Sequence, residues 1–238
     1  MGDLQLVEAF EARIVPVGKM DEPVIVIDRV MQDWRKLRDM ATLVDWRDVG
    51  KTGGFPGLRA PLPADYVKPL LNRLDPMIRE MFFKGEKRKL GSFDCAFSLV
   101  TYEPGTLDPR QTIPHVDVAD RNRVAVLHYL CPEQFGGTAF YRQLSTGLEQ
   151  VDLPDRARWL AGRREELETA SGDDFPSDTT PGYTRTASFE IRPDRMLVYR
   201  SHNLHSGIID RPDLLSTDPL EGRLTANFFL QYVPLETH

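Results

Sequence analysis

The sequence predicts an α+β protein in which a β-rich core follows a helical N-terminal part. After Gly91 the chain contains many short apolar and β-branched segments separated by Gly, Pro and Asp turns, which is typical of a sandwich, barrel or jelly roll. Before Gly91, two stretches instead carry apolar residues at helical spacing. These first ninety residues contain too little strand to stand alone. We therefore expect one domain over residues 1–238.

The N-terminal elements are predicted as one strand and two helices. Residues 23–28 form a β-branched run that favours a strand. Residues 30–44 and 64–83 have helical periodicity, and we expect Pro69 and Pro76 to start, kink or split the second helix. Together they form a helical lead-in, residues 1–90, that packs on the core.

The core is predicted at residues 91–235, with an insertion at 152–183. Its strands are expected at residues 93–102, 124–130, 138–141, 186–191, 196–199 and 223–232. The polar insertion predicts one short helix over 154–168 and a mobile segment over 171–182. That segment is either a lid over a site or a surface loop. A Gly- and Pro-rich irregular loop is expected at 50–63.

Composition restricts the function classes. The formal net charge is −6 and the pI is near 5.4, which argues against nucleic acid as the primary partner. Cys95 and Cys131 lie among apolar neighbours and are expected to be reduced core thiols. Neither a signal peptide nor an apolar run long enough to cross a membrane is visible, so we expect a cytoplasmic protein without a membrane partner.

A histidine and a carboxylate stand one residue apart at His115 and Asp117. In an extended backbone, residues i and i+2 project to the same side, so both side chains can reach one metal ion. Two histidines and one carboxylate on one face of a metal are the signature of non-haem Fe(II) oxygenases. A site of this kind therefore requires a second histidine from elsewhere in the chain.

Three other histidines are candidates for that second ligand. His128 lies within a strand-like run and is expected to have a packed or surface role. His202 and His205 follow an apolar strand, in Tyr199–Gly207, and spacing alone does not separate them. His238 ends the chain and is set aside.

The last predicted strand has a polar face. Arg223, Thr225, Asn227, Phe229 and Gln231 fall on one side and apolar residues on the other. This alternation fits a half-buried strand with its polar face in water. It also fits a barrel strand that lines an interior site, where the planar guanidinium of Arg223 binds a carboxylate. The histidines nearby favour the interior site.

The order of these pieces resembles Fe(II)/2-oxoglutarate-dependent dioxygenases, most of all their prolyl-4-hydroxylase-like branch. The matching pieces are Tyr102-x-Pro104-Gly105, His115-x-Asp117, Tyr129-Leu130, Gly136-Gly137, Leu204-His205-Ser206-Gly207 and Gly222-Arg223-x-Thr225. The resemblance implies a double-stranded β-helix, that is, a jelly-roll or cupin-like core with flanking N-terminal helices.

The resemblance also implies roles for individual residues. His115, Asp117 and His205 would be the iron ligands, with His205 preferred to His202 because of its Leu-His-small-Gly setting. Arg223 would pair with the distal carboxylate of 2-oxoglutarate, helped by Thr225. A hydrogen bond to the co-substrate would come from Tyr129 or Tyr102.

By the same resemblance, the cofactors are Fe(II), 2-oxoglutarate as co-substrate and O₂, and the reaction is hydroxylation of an unidentified amino acid, peptide, protein or other small molecule. Halogenating relatives lack the carboxylate that Asp117 supplies, which favours hydroxylation. Arg223 stands where many prolyl-hydroxylase relatives have Lys, which weakens the case for a prolyl substrate. Two alternatives remain open: a non-catalytic cupin-like binding module, and a zinc hydrolase that uses the same three ligands.

Overall fold

The protein is built from two antiparallel sheets, and the computed structural model describes residues 3–170 and 173–235, apart from the side chains of Thr52 and Gly53. The strands among these residues are β1 (Glu11–Val17), β2 (Glu22–Asp28), β3 (Arg47–Asp48), β4 (Gly57–Ala60), β5 (Arg88–Val100), β6 (Arg123–Tyr129), β7 (Gly137–Gln143), β8 (Tyr183–Glu190), β9 (Met196–Arg200), β10 (His205–Ile208) and β11 (Arg223–Pro234). The α-helices are α1 (Trp34–Met40), α2 (Gly50–Gly53), α3 (Ala64–Phe82) and α4 (Arg156–Thr169). Short 3₁₀ helices occur at Ala41–Leu43, Pro109–Gln111, Glu133–Phe135, Leu153–Asp155 and Pro212–Leu214.

The strand order is that of a jelly roll. The large sheet runs β1-β2-β9-β6-β11-β5-β4-β3 and the small sheet runs β10-β7-β8. A bridge between His115 and His205 adds the segment around His115 beside β10. From β5 onward the chain thus passes repeatedly between the two sheets, as it does in a double-stranded β-helix. The predicted antiparallel jelly-roll core is confirmed.

The N-terminal region contains more strand than the sequence indicated. Besides the predicted strand β2, it contains β1 and the short strands β3 and β4, which lie at the two edges of the large sheet. The segment expected to be an irregular loop, residues 50–63, contains α2 and β4. These strands are two to seven residues long and are defined by their partners in the sheet, which local periodicity does not show. The single-domain organisation and the cytoplasmic location stay predictions.

Helix α3 is continuous through both of its prolines. Pro69 and Pro76 lie inside the helix and are exposed. A proline removes one backbone donor from a helix, but on an exposed face water satisfies the carbonyl that loses its partner. The helix therefore neither starts nor splits at these residues, and the expected kink stays a prediction.

Two apolar layers lie on opposite faces of the large sheet. On one face, α3 packs through Leu70, Leu74 and Ile78 against the sheet. The other face meets the small sheet through residues such as Leu127 and Phe140. Each central strand therefore supplies side chains to both layers.

Strand β11 illustrates this division. Leu224, Ala226 and Phe228 belong to the layer beneath α3. Arg223, Thr225, Asn227 and Phe229 point to the other side and line a cavity between the sheets. The interior position that the sequence favoured for this polar face is observed.

A buried polar network ties α3 to the large sheet. The Tyr66 hydroxyl is 2.7 Å from Nδ1 of His128, and Nε2 of His128 is 2.9 Å from Oδ1 of Asp194. The Asp194 carboxylate also accepts the backbone N–H of Met31. His128 is fully buried and has the packed role expected for it.

Both cysteines are free thiols, as expected. Burial raises the pKa of the Cys131 thiol to about 12, so this group stays protonated at neutral pH.

No helix within the described ranges is long and apolar enough to cross a membrane.

We expect Tyr66→Phe to lower the free energy of unfolding by about 1–3 kcal/mol, because it leaves one nitrogen of a buried imidazole without a partner. Urea denaturation followed by circular dichroism measures this change. Tyr102→Phe is the control, since the Tyr102 hydroxyl bonds to Asp48 at an exposed position and its loss should cost less. An equal loss in both variants would contradict the importance of the buried network.

Candidate metal centre

His115 and His205 lie side by side because their backbones pair. The His115 N–H donates to the His205 carbonyl at 2.9 Å, and the His205 N–H donates to the His115 carbonyl at 2.8 Å. This reciprocal exchange is the hydrogen-bonded pair of an antiparallel bridge, in which side chains of opposed residues lie on the same face. The two imidazole centroids are 4.6 Å apart.

Asp117 completes the cluster. Its backbone N–H donates to the Ser201 carbonyl at 3.0 Å, which anchors this segment to the end of β9. Its Oδ1 lies 3.8 Å from Nε2 of His115 and 3.8 Å from Nε2 of His205. The ligand atoms of the three residues all lie within 4.8 Å of one another. The structure thus brings together the three residues predicted as metal ligands.

Hydrogen bonding directs the metal-binding nitrogen of His205. Its Nδ1 is 2.9 Å from the Asn203 carbonyl. A carbonyl only accepts, so Nδ1 carries the proton and Nε2 presents its lone pair to Asp117 and His115. Metal-ligating histidines are commonly oriented by such a second contact. The donor set therefore fits a divalent transition metal.

The protonation states suit a cation. The accessible part of the His115 side chain faces the cavity, and enclosure there holds its pKa well below the usual value. His205, when its ring is protonated, and Arg163 lower this pKa further. His115 is therefore neutral near pH 7, as a metal ligand must be. Burial raises the pKa of Asp117, and His205 opposes that rise. A bound cation would stabilise the Asp117 carboxylate and offset its desolvation.

His202 lies outside this cluster. It occupies the turn after β9, where its Nδ1 is 2.8 Å from Oδ1 of Asp152. Its Nε2 is 3.9 Å from Glu22 and makes no hydrogen bond. Of the two histidines that spacing left open, His205 is the one beside His115 and Asp117.

Arg223 is buried at the start of β11 and lines the same cavity. Its Nη2 donates to the Gly137 carbonyl at 2.7 Å and its Nε to the Phe135 carbonyl at 3.4 Å. Gly136, between these two residues, has φ +91°, and a Cβ there would lie 2.4 Å from the Ile208 carbonyl oxygen. The Gly-Gly turn therefore places two carbonyls that fix the guanidinium plane, and other N–H groups of Arg223 remain for a ligand.

The remaining predicted co-substrate residues differ in position. Thr225 lines the cavity, and its hydroxyl donates to Oδ1 of Asn227 at 2.7 Å. Tyr129 is fully buried behind the wall, and its hydroxyl is 2.7 Å from that of Thr138, which does line the cavity. Tyr102 lies outside the cavity lining, and its hydroxyl donates to Asp48 at 2.8 Å. In the structure, neither tyrosine faces the cavity directly.

The cavity between the sheets has a volume of about 540 Å³. Five arginines line it, among them Arg223. Tyr199 also lines it, with its ring 5.0 Å from that of His205. Phe175 and Pro176, from the segment expected to be mobile, reach its wall, whereas Ser171 and Gly172 of that segment lie outside the described residues.

Sequence reasoning missed Tyr199 and four cavity arginines. The four are Arg59, Arg110, Arg123 and Arg163. Arg123 and Tyr199 lie at the ends of predicted strands, so strand ends that converge on a site were the available signal. For Arg59, on an unpredicted strand, and for Arg110 and Arg163 the sequence carried no comparable signal.

Residues 8–230 match the model of the family described as "Family of unknown function (DUF6445)". The chain belongs to this family. A search of curated proteins found no match.

Several solved structures are distantly similar. HygX from Streptomyces hygroscopicus with nickel and 2-oxoglutarate bound has a TM-score of 0.49 and 17% identity, covering 89% of this chain and 82% of that chain. SnoN, a non-haem α-ketoglutarate-dependent epimerase from nogalamycin biosynthesis, has a TM-score of 0.48 and 16% identity, and the match covers 90% of this chain and 79% of SnoN. An N-substituted L-amino acid dioxygenase in complex with α-ketoglutarate from Burkholderia ambifaria AMMD has a TM-score of 0.43 and 12% identity, covering 93% and 94%. At these levels of similarity the function rests on the chemistry of the site, and the prolyl-4-hydroxylase-like branch stays a prediction.

We expect His205→Ala to weaken Fe(II) binding by at least about a hundredfold, since loss of even an outer-sphere partner costs about ten- to a hundredfold. His202→Ala is the matched control, because it removes a neighbouring imidazole that lies outside the cluster, and its affinity should stay within a few-fold of the unsubstituted protein. Anaerobic titration calorimetry measures both. A larger loss of Fe(II) affinity in His202→Ala than in His205→Ala would overturn the assignment of His205 as the third metal ligand.

Proposed function

We propose that this protein is an Fe(II)- and 2-oxoglutarate-dependent dioxygenase that hydroxylates a substrate bound in the cavity between its sheets. The observation that carries the proposal is that three metal donors and a buried arginine line the same cavity. His115, Asp117 and His205 present converging metal donors, and the buried Arg223 faces the same cavity. A metal triad with a buried carboxylate-binding arginine is what this chemistry requires.

His115, Asp117 and His205 would hold the iron. Two neutral imidazoles and one carboxylate leave a divalent ion with net positive charge and with coordination positions open to other ligands. With 2-oxoglutarate and O₂, such an iron supplies the oxidising power for hydroxylation. The chain's own contribution is to keep His115 neutral, to orient His205 through the Asn203 carbonyl and to hold Asp117 beside both.

Arg223 and Thr225 would hold the far carboxylate of 2-oxoglutarate. Arg223 is only 4% exposed, and a charge pair in such a position is screened little by water. Its guanidinium is already fixed by the carbonyls of Phe135 and Gly137, so little side-chain entropy is lost when a carboxylate binds. Tyr129 would act on this site indirectly, through its bond to Thr138.

The segment around Phe175 would help to exclude water. Phe175 is buried against Val100 and Leu107, and it lines the cavity together with Pro176. Closure of an active site over its reactants strengthens electrostatic interactions and prevents side reactions. We assign the segment as a cover of the cavity on this basis.

We expect anaerobic, Fe(II)-loaded protein to develop a visible charge-transfer band when 2-oxoglutarate is added. Arg223→Gln should raise the Kd for 2-oxoglutarate by about ten- to a hundredfold, the value of one or two charge-assisted hydrogen bonds. The Fe(II) affinity should not change, because Arg223 supplies no metal donor. Absorbance titration measures the first quantity and calorimetry the second.

Arg211→Gln is the control for this experiment, since Arg211 is exposed and pairs with Asp213 on a loop. Absence of any 2-oxoglutarate-dependent band in iron-loaded protein would reject the proposal. Metal binding without 2-oxoglutarate binding would point instead to a cupin-like module. Zn(II)-dependent hydrolysis that Arg223→Gln leaves intact would point to a hydrolase.

A further inference from the structure

Two of the five cavity arginines differ from the others in their partners. Arg223 donates to backbone carbonyls, Arg163 donates to the Pro114 carbonyl at 2.6 Å, and Arg110 pairs with Asp108 at 2.8 Å. Within the described chain, the side chains of Arg59 and Arg123 make no hydrogen bond or ion pair, and the Nε of each is buried without a partner. A buried guanidinium nitrogen without an acceptor is costly, so these two groups are poised for a ligand.

Both guanidinium groups surround one aromatic ring. The central carbon of Arg59 lies 5.8 Å from the ring centroid of Phe229, and that of Arg123 lies 5.4 Å from it. Arg59 is also 5.2 Å from the ring of Phe55. Stacking on aromatic faces holds each cation in place without using its N–H donors. All four residues line the cavity.

The strand order explains how these residues meet. Arg59 lies on β4, Phe229 on β11 and Arg123 at the start of β6, and β4, β5, β11 and β6 are consecutive in the large sheet. Phe229 pairs with Asp94 of β5 on one side and with Ala125 of β6 on the other. The two arginines therefore approach Phe229 from strands on opposite sides of β11.

Phe229, the ring that both guanidinium groups contact, is separated from Arg223 along β11, although the backbone of Arg59 lies level with Thr225 across β5. Phe229 follows Arg223 by six residues on β11, which corresponds to about 20 Å along a strand. A five-carbon dicarboxylate held by Arg223 is too short to reach Phe229. Arg59 and Arg123 both interact electrostatically with Asp117, so they lie near the metal donors as well. A molecule other than 2-oxoglutarate would therefore occupy this end of the cavity.

The local charge supports an anion. Apart from Asp117, the acidic residue that lines the described cavity is Asp94. Asp94 interacts electrostatically with Arg59, but it accepts no hydrogen bond from Arg59 or Arg123, and the Nε of both arginines stays without a partner. The chain as a whole has a net charge of −6, so a cluster of unpaired cations inside it is not a consequence of composition. Such a cluster attracts and orients an anionic ligand.

We infer that Arg59 and Arg123 bind an oxyanion group of the primary substrate, a carboxylate or a phosphate, while an apolar part of that substrate lies on Phe229. The inference rests on the proposed function and specifies its substrate class: an anionic small molecule rather than an uncharged one. The oxyanion satisfies the guanidinium donors that the chain leaves unpaired, and it fixes the rest of the substrate beside the metal donors.

Three probes with a common phenyl ring test this inference: benzoate, phenyl phosphate and benzyl alcohol. Each is titrated by calorimetry into protein that carries Ni(II) and 2-oxoglutarate, so that the Arg223 end of the cavity is filled. We expect at least one anion to bind about tenfold or more tightly than benzyl alcohol, because charge-assisted hydrogen bonds contribute that much. The preference between benzoate and phenyl phosphate distinguishes the two oxyanions.

Arg59→Gln and Arg123→Gln should each weaken binding of the anionic probe by about tenfold or more. The affinity of Arg123→Lys for this probe should lie between those of the unsubstituted protein and Arg123→Gln, since lysine keeps the charge but loses the planar fork. Binding of benzyl alcohol and of 2-oxoglutarate should stay within about twofold in every variant, which also reports that the cavity is folded. Arg121→Gln is the matched control, because Arg121 is an exposed neighbour outside the cavity lining.

Each outcome is decisive. Equal affinities for the three probes, no binding of any probe at millimolar concentration, or unchanged anion affinity in both glutamine variants would overturn the inference and leave the proposed function standing if 2-oxoglutarate still binds. Failure of 2-oxoglutarate to bind the Ni(II)-loaded protein would instead overturn the proposed function, and with it the assignment of these arginines to a substrate.

Discussion

The pair of backbone hydrogen bonds between His115 and His205 is the constraint on which the rest of the site depends. It joins a segment before β6 to the start of β10 and thereby places two imidazoles 4.6 Å apart. Backbone pairing specifies position more rigidly than side-chain contacts do, because both donors and both acceptors must be satisfied at once. The metal donors thus inherit their spacing from the sheet.

Strand β11 connects the hydrophobic core to the cavity. Its apolar face completes the core beneath α3, and its other face carries Arg223, Thr225, Asn227 and Phe229 along the cavity. Because the alternation of a strand is strict, a shift of one residue would bury the polar face in the core and expose the apolar one to the cavity. The hydrophobic core therefore fixes the register of the site, and stability and function are coupled through one strand.

The arginines show how an acidic protein maintains a cationic interior. Each of Arg110, Arg163 and Arg223 is held by acceptors from the chain itself, so their charges are compensated or fixed in direction. Arg59 and Arg123 are supported by aromatic stacking and leave their donors unused. Burial lowers the pKa of Arg59, yet an arginine keeps its charge at any physiological pH. The cavity consequently has two cationic ends, with the metal donors near both.

Local sequence determined the features that depend on neighbours in the chain. The alternation in β11, the His115–Asp117 spacing and the helical periodicity of α3 are properties of short segments, and the structure contains each of them. Spacing did not separate His202 from His205, and only the resemblance favoured His205; the bridge to His115 is what places His205 beside the other two metal donors. The tertiary structure also decided that Tyr102 bonds to Asp48 outside the cavity, and that Arg59 lies beside Phe229. These outcomes depend on which strands become neighbours in the sheet, and pairing between distant segments leaves no periodic trace in the sequence.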